Sequence, residues 1–239
     1  MKTLKTGAFI LLASLSLGSV KAQTVDEVVT KYVDALGGKS LISSIKTIYV
    51  ESSIDIMGNE APSVTYIING KGYKNEVDFN GTKIVQCVTD KGGWALNPMA
   101  GSTTPTAIPE DQVKASQAQL QVGGPLYDYA AKGNKVELIG KDTSGGATAY
   151  KVKVTTGSVD IVYYIDASTY HINKAVSKFN ANGQDIESTA SFSDYKKTDF
   201  GYTMAFTQKV VLPQITLSIT NKKVEVNKTI DPAIFEMPK

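Results

Sequence analysis

Few side chains in this sequence are of the types that carry out catalysis or bind metals. The chain has one histidine, His171, and one cysteine, Cys87. A zinc site needs several His or Cys ligands, and a serine hydrolase of the α/β type needs a Gly-x-Ser-x-Gly turn that this sequence lacks. The acidic residues are scattered over predicted turns and polar strand faces. We therefore predict no catalytic residues, no metal site and no cofactor, and an enzyme is the least favoured class.

The single histidine and the single cysteine are both better explained by structural roles. His171 follows Tyr170 at a predicted turn into a strand, which favours a partly exposed structural histidine. Cys87 lies between Val85 and Val88 in a predicted strand, and a free cysteine is usually a buried packing residue. A single cysteine cannot form a disulfide within the chain, so the stability of the fold must come from its core.

Residues 1–22 have the features of a secretory signal peptide. Lys2 and Lys5 precede a short apolar segment, and Val20-Lys21-Ala22 suits cleavage after the alanine. We expect an exported protein that begins at Gln23, with no cysteine near the cleavage site for a lipid anchor and no membrane-spanning segment. Removal of the three leader lysines from 25 basic residues leaves one fewer than the 23 acidic residues, a balance that does not favour nucleic acid.

The chain that follows opens with a predicted helix. Apolar residues recur at helical spacing over residues 24–36, and Thr24 with Glu27 forms a capping-box pattern. Gly37-Gly38 supplies a left-handed stop. The helix should therefore present one apolar stripe to the core.

From Thr47 the apolar residues alternate with polar ones, as in strands with one dry and one wet face. A loop is predicted over 97–108, a second helix from Pro109 to about Leu120, and a short turn over 126–132. We predict a single domain, residues 23–239, with a mainly antiparallel α+β fold of about 11–12 strands. The predicted strands are 47–56, 64–68, 73–79, 83–88, 93–96, 136–141, 148–155, 159–165, 172–180, 184–195, 202–212 and 214–226.

The amount of strand surface relative to helix indicates a curled sheet. About a dozen strands at roughly 4.8 Å spacing would span on the order of 55 Å if the sheet were flat. Two helical segments, each about 10–12 Å across, cannot cover one face of such a sheet. The sheet must therefore curl, and a wide curled sheet encloses space for a ligand. A filled core or a two-sheet sandwich is equally compatible with the pattern.

Six segments occur in an order that is characteristic of one family. They are Tyr32-Val33-Asp34-Ala35-Leu36-Gly37-Gly38-Lys39, Gly93-Trp94-Ala95-Leu96-Asn97-Pro98, Gly124-Pro125-Leu126-Tyr127-Asp128-Tyr129, Tyr163-Tyr164-Ile165-Asp166, Phe192-Ser193-Asp194-Tyr195-Lys196 and Ile234-Phe235-Glu236-Met237-Pro238. In these segments the chain resembles the LolA-like periplasmic lipoprotein carriers, also called outer-membrane lipoprotein-sorting proteins. The resemblance extends over nearly the whole chain after the leader.

The resemblance implies an incomplete β-barrel in which the N-terminal and central helices form a lid over an apolar cavity. It also implies a periplasmic carrier for lipid or lipoprotein acyl chains, with membrane proteins of the envelope as partners. The chain has no arginine, so the arginine-controlled lid of the lipoprotein carrier is not expected here. The alternative is an envelope protein-interaction module with a filled core and no lipid ligand.

Apolar side chains along the predicted strands and helices are the candidates for this cavity and its lid. The aromatic ones either pack in a core or lie at a cavity mouth, where an apolar ring with a polar tip suits amphiphiles. We expect truncation of Trp94 or Leu126 to weaken lipid uptake. The candidates are Ile54, Ile56, Tyr66, Ile68, Val77, Phe79, Trp94, Leu96, Leu120, Leu126, Tyr129, Tyr150 and Val152.

Overall fold

The computed structural model describes residues 23–238, with the exception of Met57, Gly145, Ser158, Asn182 and Gly183, and leaves the side chains of residues 179–181, 184 and 185 undescribed. The predicted signal peptide, residues 1–22, lies outside the described residues.

Thirteen strands make up most of the fold. They are β1 (Thr47–Ile56), β2 (Asn59–Ile68), β3 (Gly72–Phe79), β4 (Thr82–Thr89), β5 (Gly92–Asn97), β6 (Ser102–Ala107), β7 (Lys135–Asp142), β8 (Ala149–Thr156), β9 (Val159–Asp166), β10 (Ile172–Ala181), β11 (Gln184–Lys197), β12 (Thr203–Val211) and β13 (Thr216–Val226). They form one antiparallel sheet in the order β6-β5-β4-β3-β2-β1-β13-β12-β11-β10-β9-β8-β7. The sheet curls without closing into a barrel, so β6 and β7 are its two edges.

In the described part of the chain, three short α-helices accompany the sheet: α1 (Val25–Ala35), α2 (Lys39–Ser44) and α3 (Glu110–Ser116). The capping box predicted at the start of α1 is present, because Thr24 Oγ1 accepts from Glu27 N at 3.2 Å and Thr24 N donates to the Glu27 carboxylate at 3.0 Å. Gly37 follows with φ 122°, in the left-handed region. A helix this short is stable mainly through the face that it packs.

The central segment differs from the prediction in two respects. The predicted loop 97–108 contains β6, which pairs with β5. Pro105 cannot donate to a ladder, but proline is tolerated on an edge strand, so β6 is compatible with its sequence. The predicted helix to Leu120 is α3 followed by a 3₁₀ turn over Gln117–Leu120. The segment 126–132 forms turns, as expected.

Strand alternation gives the sheet a concave and a convex face. In the ladder of β1 with β13, Val50 lies opposite Val224 and Ile54 opposite Ile219, so these side chains share the concave face. Helix α1 packs its apolar stripe on this face against β8 and β9 and forms the main core. The members of that core with the lowest exposure are Val28, Ile42, Ile45, Leu126, Val152, Val154 and Ile165.

Helix α3 covers a second part of the concave face. Val113 and Leu120 pack on Val88 of β4, with Tyr73 and Ile108 beside them. The two helical contacts lie at separate places on the concave face, and the surface between them and the strand hairpins is left without a helix over it.

The convex face carries a cluster of its own, built by the C-terminal segment. Phe235 packs on Val85, Cys87 and Trp94. Its carbonyl oxygen accepts from Trp94 Nε1 at 2.9 Å and from Cys87 Sγ at 3.3 Å. A Cβ on Gly72 would lie 2.9 Å from the Phe235 ring, so a glycine is required beneath it. The C-terminal segment is thereby held on the convex face.

Cys87 provides a test of this attachment. The side chain is fully buried, and burial raises the pKa of its thiol to about 11. Because the thiolate is the reactive form, we expect Cys87 to react slowly with a disulfide reagent at about pH 8 in the folded protein. Phe235→Ala should increase the labelling rate at least about tenfold by opening this cluster locally. Met237→Ala, at a position that is 49% exposed, is the control. Rapid labelling of the unmodified protein would contradict the assignment.

Candidate functional site

A cleft of about 280 Å³ lies on the concave face between the end of α1, the turn after α3 and strands β10–β13. It runs along β12 from Tyr202 to Gln208, and Thr203 N donates to Leu36 O at 3.0 Å where the helix meets the strand. The lining residues are Tyr32, Leu36, Gly124, Pro125, Leu126, Tyr163, Ile172, Phe192, Tyr195, Tyr202, Thr203, Met204, Ala205, Gln208, Ile219 and Asn221.

The cleft is lined by uncharged side chains. Its ionisable groups are tyrosines, and burial raises the pKa of Tyr202 to about 12. Burial also raises the pKa of Tyr163, and that of Tyr32 is raised well above its ordinary value for the same reason. These phenols therefore stay protonated near neutral pH and do not act as bases. The arrangement suits the burial of an apolar group and offers no acid–base pair.

Five polar side chains of the concave face, Ser52, Ser63, Thr65, Asn75 and Asn221, take part in hydrogen bonds within the protein. Ser52 Oγ donates to Asn221 Oδ1 at 2.9 Å, and Asn221 Nδ2 donates to Ala205 O at 3.1 Å. Asn75 Nδ2 lies 2.8 Å from Ser63 Oγ and 2.9 Å from Thr65 Oγ1. An apolar ligand would therefore not leave these groups without partners, so the usual cost of burying polar atoms is reduced.

Beyond the cleft, a half-buried apolar surface extends toward the ends of the β1–β2, β3–β4 and β12–β13 strand pairs. Ile219 lines the cleft and pairs with Ile54 of β1, and Val210 pairs with Leu217 in the next ladder. We call this region the hairpin-end surface; it consists of Ile54, Ile56, Val77, Phe79, Ile84, Val210, Leu217 and Ile219.

The structure brings some of the candidate residues together and separates others. Leu126 lines the cleft, and four more lie on the hairpin-end surface beside it: Ile54, Ile56, Val77 and Phe79.

Four candidates belong to the packed parts of the concave side. Tyr150 and Val152 lie in the main core beneath α1, and Leu120 packs under α3. Tyr129 is half-buried at the margin of the main core, where its hydroxyl donates to Asp26. These side chains support the concave face without lining the cleft.

The remaining four candidates, Tyr66, Ile68, Trp94 and Leu96, lie on the convex face around Phe235. They are on the side of the sheet opposite the cleft.

Sequence reasoning did not select several residues of the cleft. Phe192 and Tyr195 belong to a segment that carried the family resemblance, and the alternation of β13 put Ile219 on an apolar face. These signals were present but did not show that β11, β12 and β13 meet at one cleft. Tyr202, Met204 and Gln208 had no comparable signal.

His171 lies behind the cleft wall and not in the cleft. Its ring stacks on Tyr195 with centroids 4.1 Å apart and planes 3° from parallel, and the Tyr195 hydroxyl donates to Ile172 O at 2.7 Å. The contact positions Tyr195, which agrees with the structural interpretation of the histidine.

In the described part of the chain, no helix combines the length and apolar character that crossing a membrane requires.

Comparison with known proteins shows a relationship of fold. No protein-family model matches the sequence, and no curated protein matches it. Among solved structures, an outer membrane lipoprotein-sorting protein domain from Vibrio parahaemolyticus superimposes with a TM-score of 0.57 at 12% identity, over 87% of this chain and 94% of that one.

Two further structures agree over similar lengths. A DUF1329 family protein from Desulfovibrio piger has a TM-score of 0.60 at 17% identity and covers 90% of this chain and 98% of its own. A LolA superfamily protein from Nitrosomonas europaea has a TM-score of 0.60 at 8% identity, with the same coverage. The resemblance seen in the sequence segments is thus confirmed for the fold: this chain shares its curled, incomplete barrel with these three structures.

Proposed function

We propose that this protein is a periplasmic carrier that binds an acyl chain of a lipid or lipoprotein on the concave face of its sheet. The observation that carries the proposal is the uncharged cleft of about 280 Å³ between α1 and strands β10–β13, continued by the hairpin-end surface. The leader-like residues 1–22 support export. The LolA-like fold supports a carrier role over an enzymatic one.

The size of the cleft indicates how an acyl chain would lie. Typical ligand pockets have volumes of about 300–1,000 Å³, and this cleft, at about 280 Å³, lies just below that range. A long chain would fill the cleft with one part and lie along Ile54, Ile219 and Leu217 with the rest. Each methylene removed from water contributes about 0.8 kcal/mol, so even a partly enclosed chain gains several kcal/mol.

Access to the cleft does not depend on an arginine-controlled lid, because the chain contains no arginine. Helix α1 is part of the packed main core, and Leu36 at its end is tied to β12 by a backbone hydrogen bond. The strand hairpins form the open end of the concave side. An acyl chain can extend toward that end while the core stays in place.

A displacement assay tests the proposal directly. The protein from Gln23 onward, freed of bound lipid by a mild detergent and dialysed, is titrated with a fluorescent fatty acid. We expect saturable binding in the micromolar range, displaced by palmitate and by hexadecanol, and native mass spectrometry of the protein purified from a periplasmic extract should show a retained lipid.

Two outcomes of these experiments bear against the carrier proposal. If no fluorescent ligand binds and no lipid is retained, the carrier proposal is wrong. A stable complex with an envelope protein under the same lipid-free conditions would then favour the interaction module.

A further inference from the structure

A second compartment, of about 510 Å³, lies on the concave side where α3 and the following 3₁₀ turn face the end of the β8–β9 hairpin. Pro125 lines both this compartment and the apolar cleft, so the two meet at the turn over residues 121–126, which we call the dividing turn. Thr156 and Val159 pair with each other at the far wall. The concave interior thus has two compartments that adjoin at Pro125.

The second compartment is polar where the first is apolar. Its polar side chains are amides, a hydroxyl and two ammonium groups, and none of its described lining residues is acidic. The polar lining residues are Lys114, Gln117, Gln121, Lys132, Asn134 and Thr156.

The two lysines of the compartment differ in whether their ammonium group is already paired with a carboxylate. Lys114 is exposed and already paired with Glu110, its Nζ lying 2.7 Å from the carboxylate. Lys132 is half-buried, and the ion pairs among the described residues do not include it. The nearby carboxylate of Asp128 is paired with Lys39 at 3.1 Å. Lys132 is therefore the cation of the compartment that still has capacity for an anion.

The ammonium of Lys132 is held at the dividing turn. Nζ donates to Gly124 O at 2.9 Å and lies 5.1 Å from the centre of the Tyr127 ring. An ammonium has three N–H donors, so one carbonyl does not exhaust it. Burial lowers the pKa of Lys132 to about 8, which shows a poorly solvated charge that would gain from an anionic partner.

The dividing turn is a fixed part of the fold. Val122 N donates to Asn69 Oδ1 at 3.1 Å, and Gly70 N donates to Leu120 O at 2.7 Å. Gly123 has φ 82°, and a Cβ there would lie 2.7 Å from Tyr127 Cβ. The turn therefore holds the Gly124 carbonyl, which accepts from Lys132 Nζ, beside the cleft.

We infer that the ligand is an anionic amphiphile whose carboxylate or phosphate head group binds at Lys132 while its acyl chain occupies the adjoining apolar cleft. The inference rests on the proposed function and adds the charge of the ligand and the residue that recognises it. A lysine ammonium binds either anion as a point charge, which suits a head group approached from one side.

The test compares palmitate with hexadecanol, which have the same chain length and differ in charge. At neutral pH we expect the protein to bind palmitate at least about tenfold more tightly, the size of one charge-assisted hydrogen bond. Lys132→Met should reduce this preference to less than about twofold while leaving hexadecanol affinity unchanged. Lys132→Arg should retain most of the preference, because it keeps the charge.

Controls separate the inference from trivial effects. Lys209→Met removes a lysine from the convex side of β12 and should leave the preference intact, and circular dichroism verifies that each variant is folded. Inorganic phosphate alone should displace neither ligand, whereas lysophosphatidate should displace palmitate.

Four results would overturn the inference. An equal preference in the protein and in Lys132→Met excludes Lys132 as the recognition residue, and equal binding of palmitate and hexadecanol excludes a head-group site while leaving the carrier proposal standing. Displacement of palmitate by inorganic phosphate alone would show a free-anion site instead. If neither amphiphile binds, both proposals fail.

Discussion

Replacing Gln208 with tryptophan should weaken the binding of a long acyl chain by roughly fiftyfold. Gln208 lines the cleft from β12, on the same face as its ladder partners Phe192 and Ile219. A tryptophan at this position would fill space near the junction of the cleft with the hairpin-end surface. Exclusion of about three methylenes at about 0.8 kcal/mol each gives a loss of about 2.4 kcal/mol.

The adjacent residue provides a matched control. Lys209 is exposed on the convex face, so Lys209→Trp introduces the same side chain one position along the strand but on the opposite side of the sheet. We expect it to leave acyl-chain affinity within about twofold of the unmodified protein. The displacement assay measures both variants. Equal losses for the two, or no loss for Gln208→Trp, would show that the chain does not bind along β12.

Trp94→Ala and Leu126→Ala should separate stability from binding. Both side chains are nearly fully buried, at 5% and 1% exposure, so each truncation should lower the free energy of unfolding by about 3 kcal/mol or more. Trp94 also donates to Phe235 O, and its loss leaves that carbonyl without one of its two donors. Leu126 lines the cleft, whereas Trp94 lies on the convex face.

We therefore expect only Leu126→Ala to reduce acyl-chain affinity, several-fold, when binding is measured at a temperature where both variants are folded. Urea denaturation gives the stability change, and the displacement assay gives the affinity. A comparable loss of affinity in Trp94→Ala would mean that the convex cluster communicates with the concave face, and the assignment of the cleft as the binding site would need revision.

The elements that could be predicted are those whose cause is local. The sequence of helix α1 carries a capping box at Thr24 and a glycine stop at Gly37. In the structure the helix begins directly after Thr24 and ends just before Gly37, as these two signals predict. Hairpins followed the Asn-Gly pairs that favour positive φ, as at Asn80 with φ 53°. Strand β6 was not predicted because its residues are those of a loop, and it exists because β5 supplies a ladder partner.

The candidate site was predicted less well, for a geometric reason. Alternation shows which residues of a strand share a face, but it does not show which face becomes concave. Tyr66 and Ile54 both lie on apolar faces of neighbouring strands, yet Tyr66 packs beneath Phe235 on the convex side. The C-terminal cluster creates a second dry face, and only the arrangement of the whole sheet distinguishes it from the first.

The open sheet has a mechanical consequence. In a closed barrel the number of strands and their stagger set a fixed diameter. Here the perimeter is interrupted between β6 and β7, which are the first and last strands of the sheet order. The sheet can therefore widen by a change in strand twist and in the packing of α3, while all hydrogen-bonded strand pairs stay intact. Under the proposed function, such compliance would let the concave face accommodate a ligand with several acyl chains, although the cleft as described has room for part of one chain.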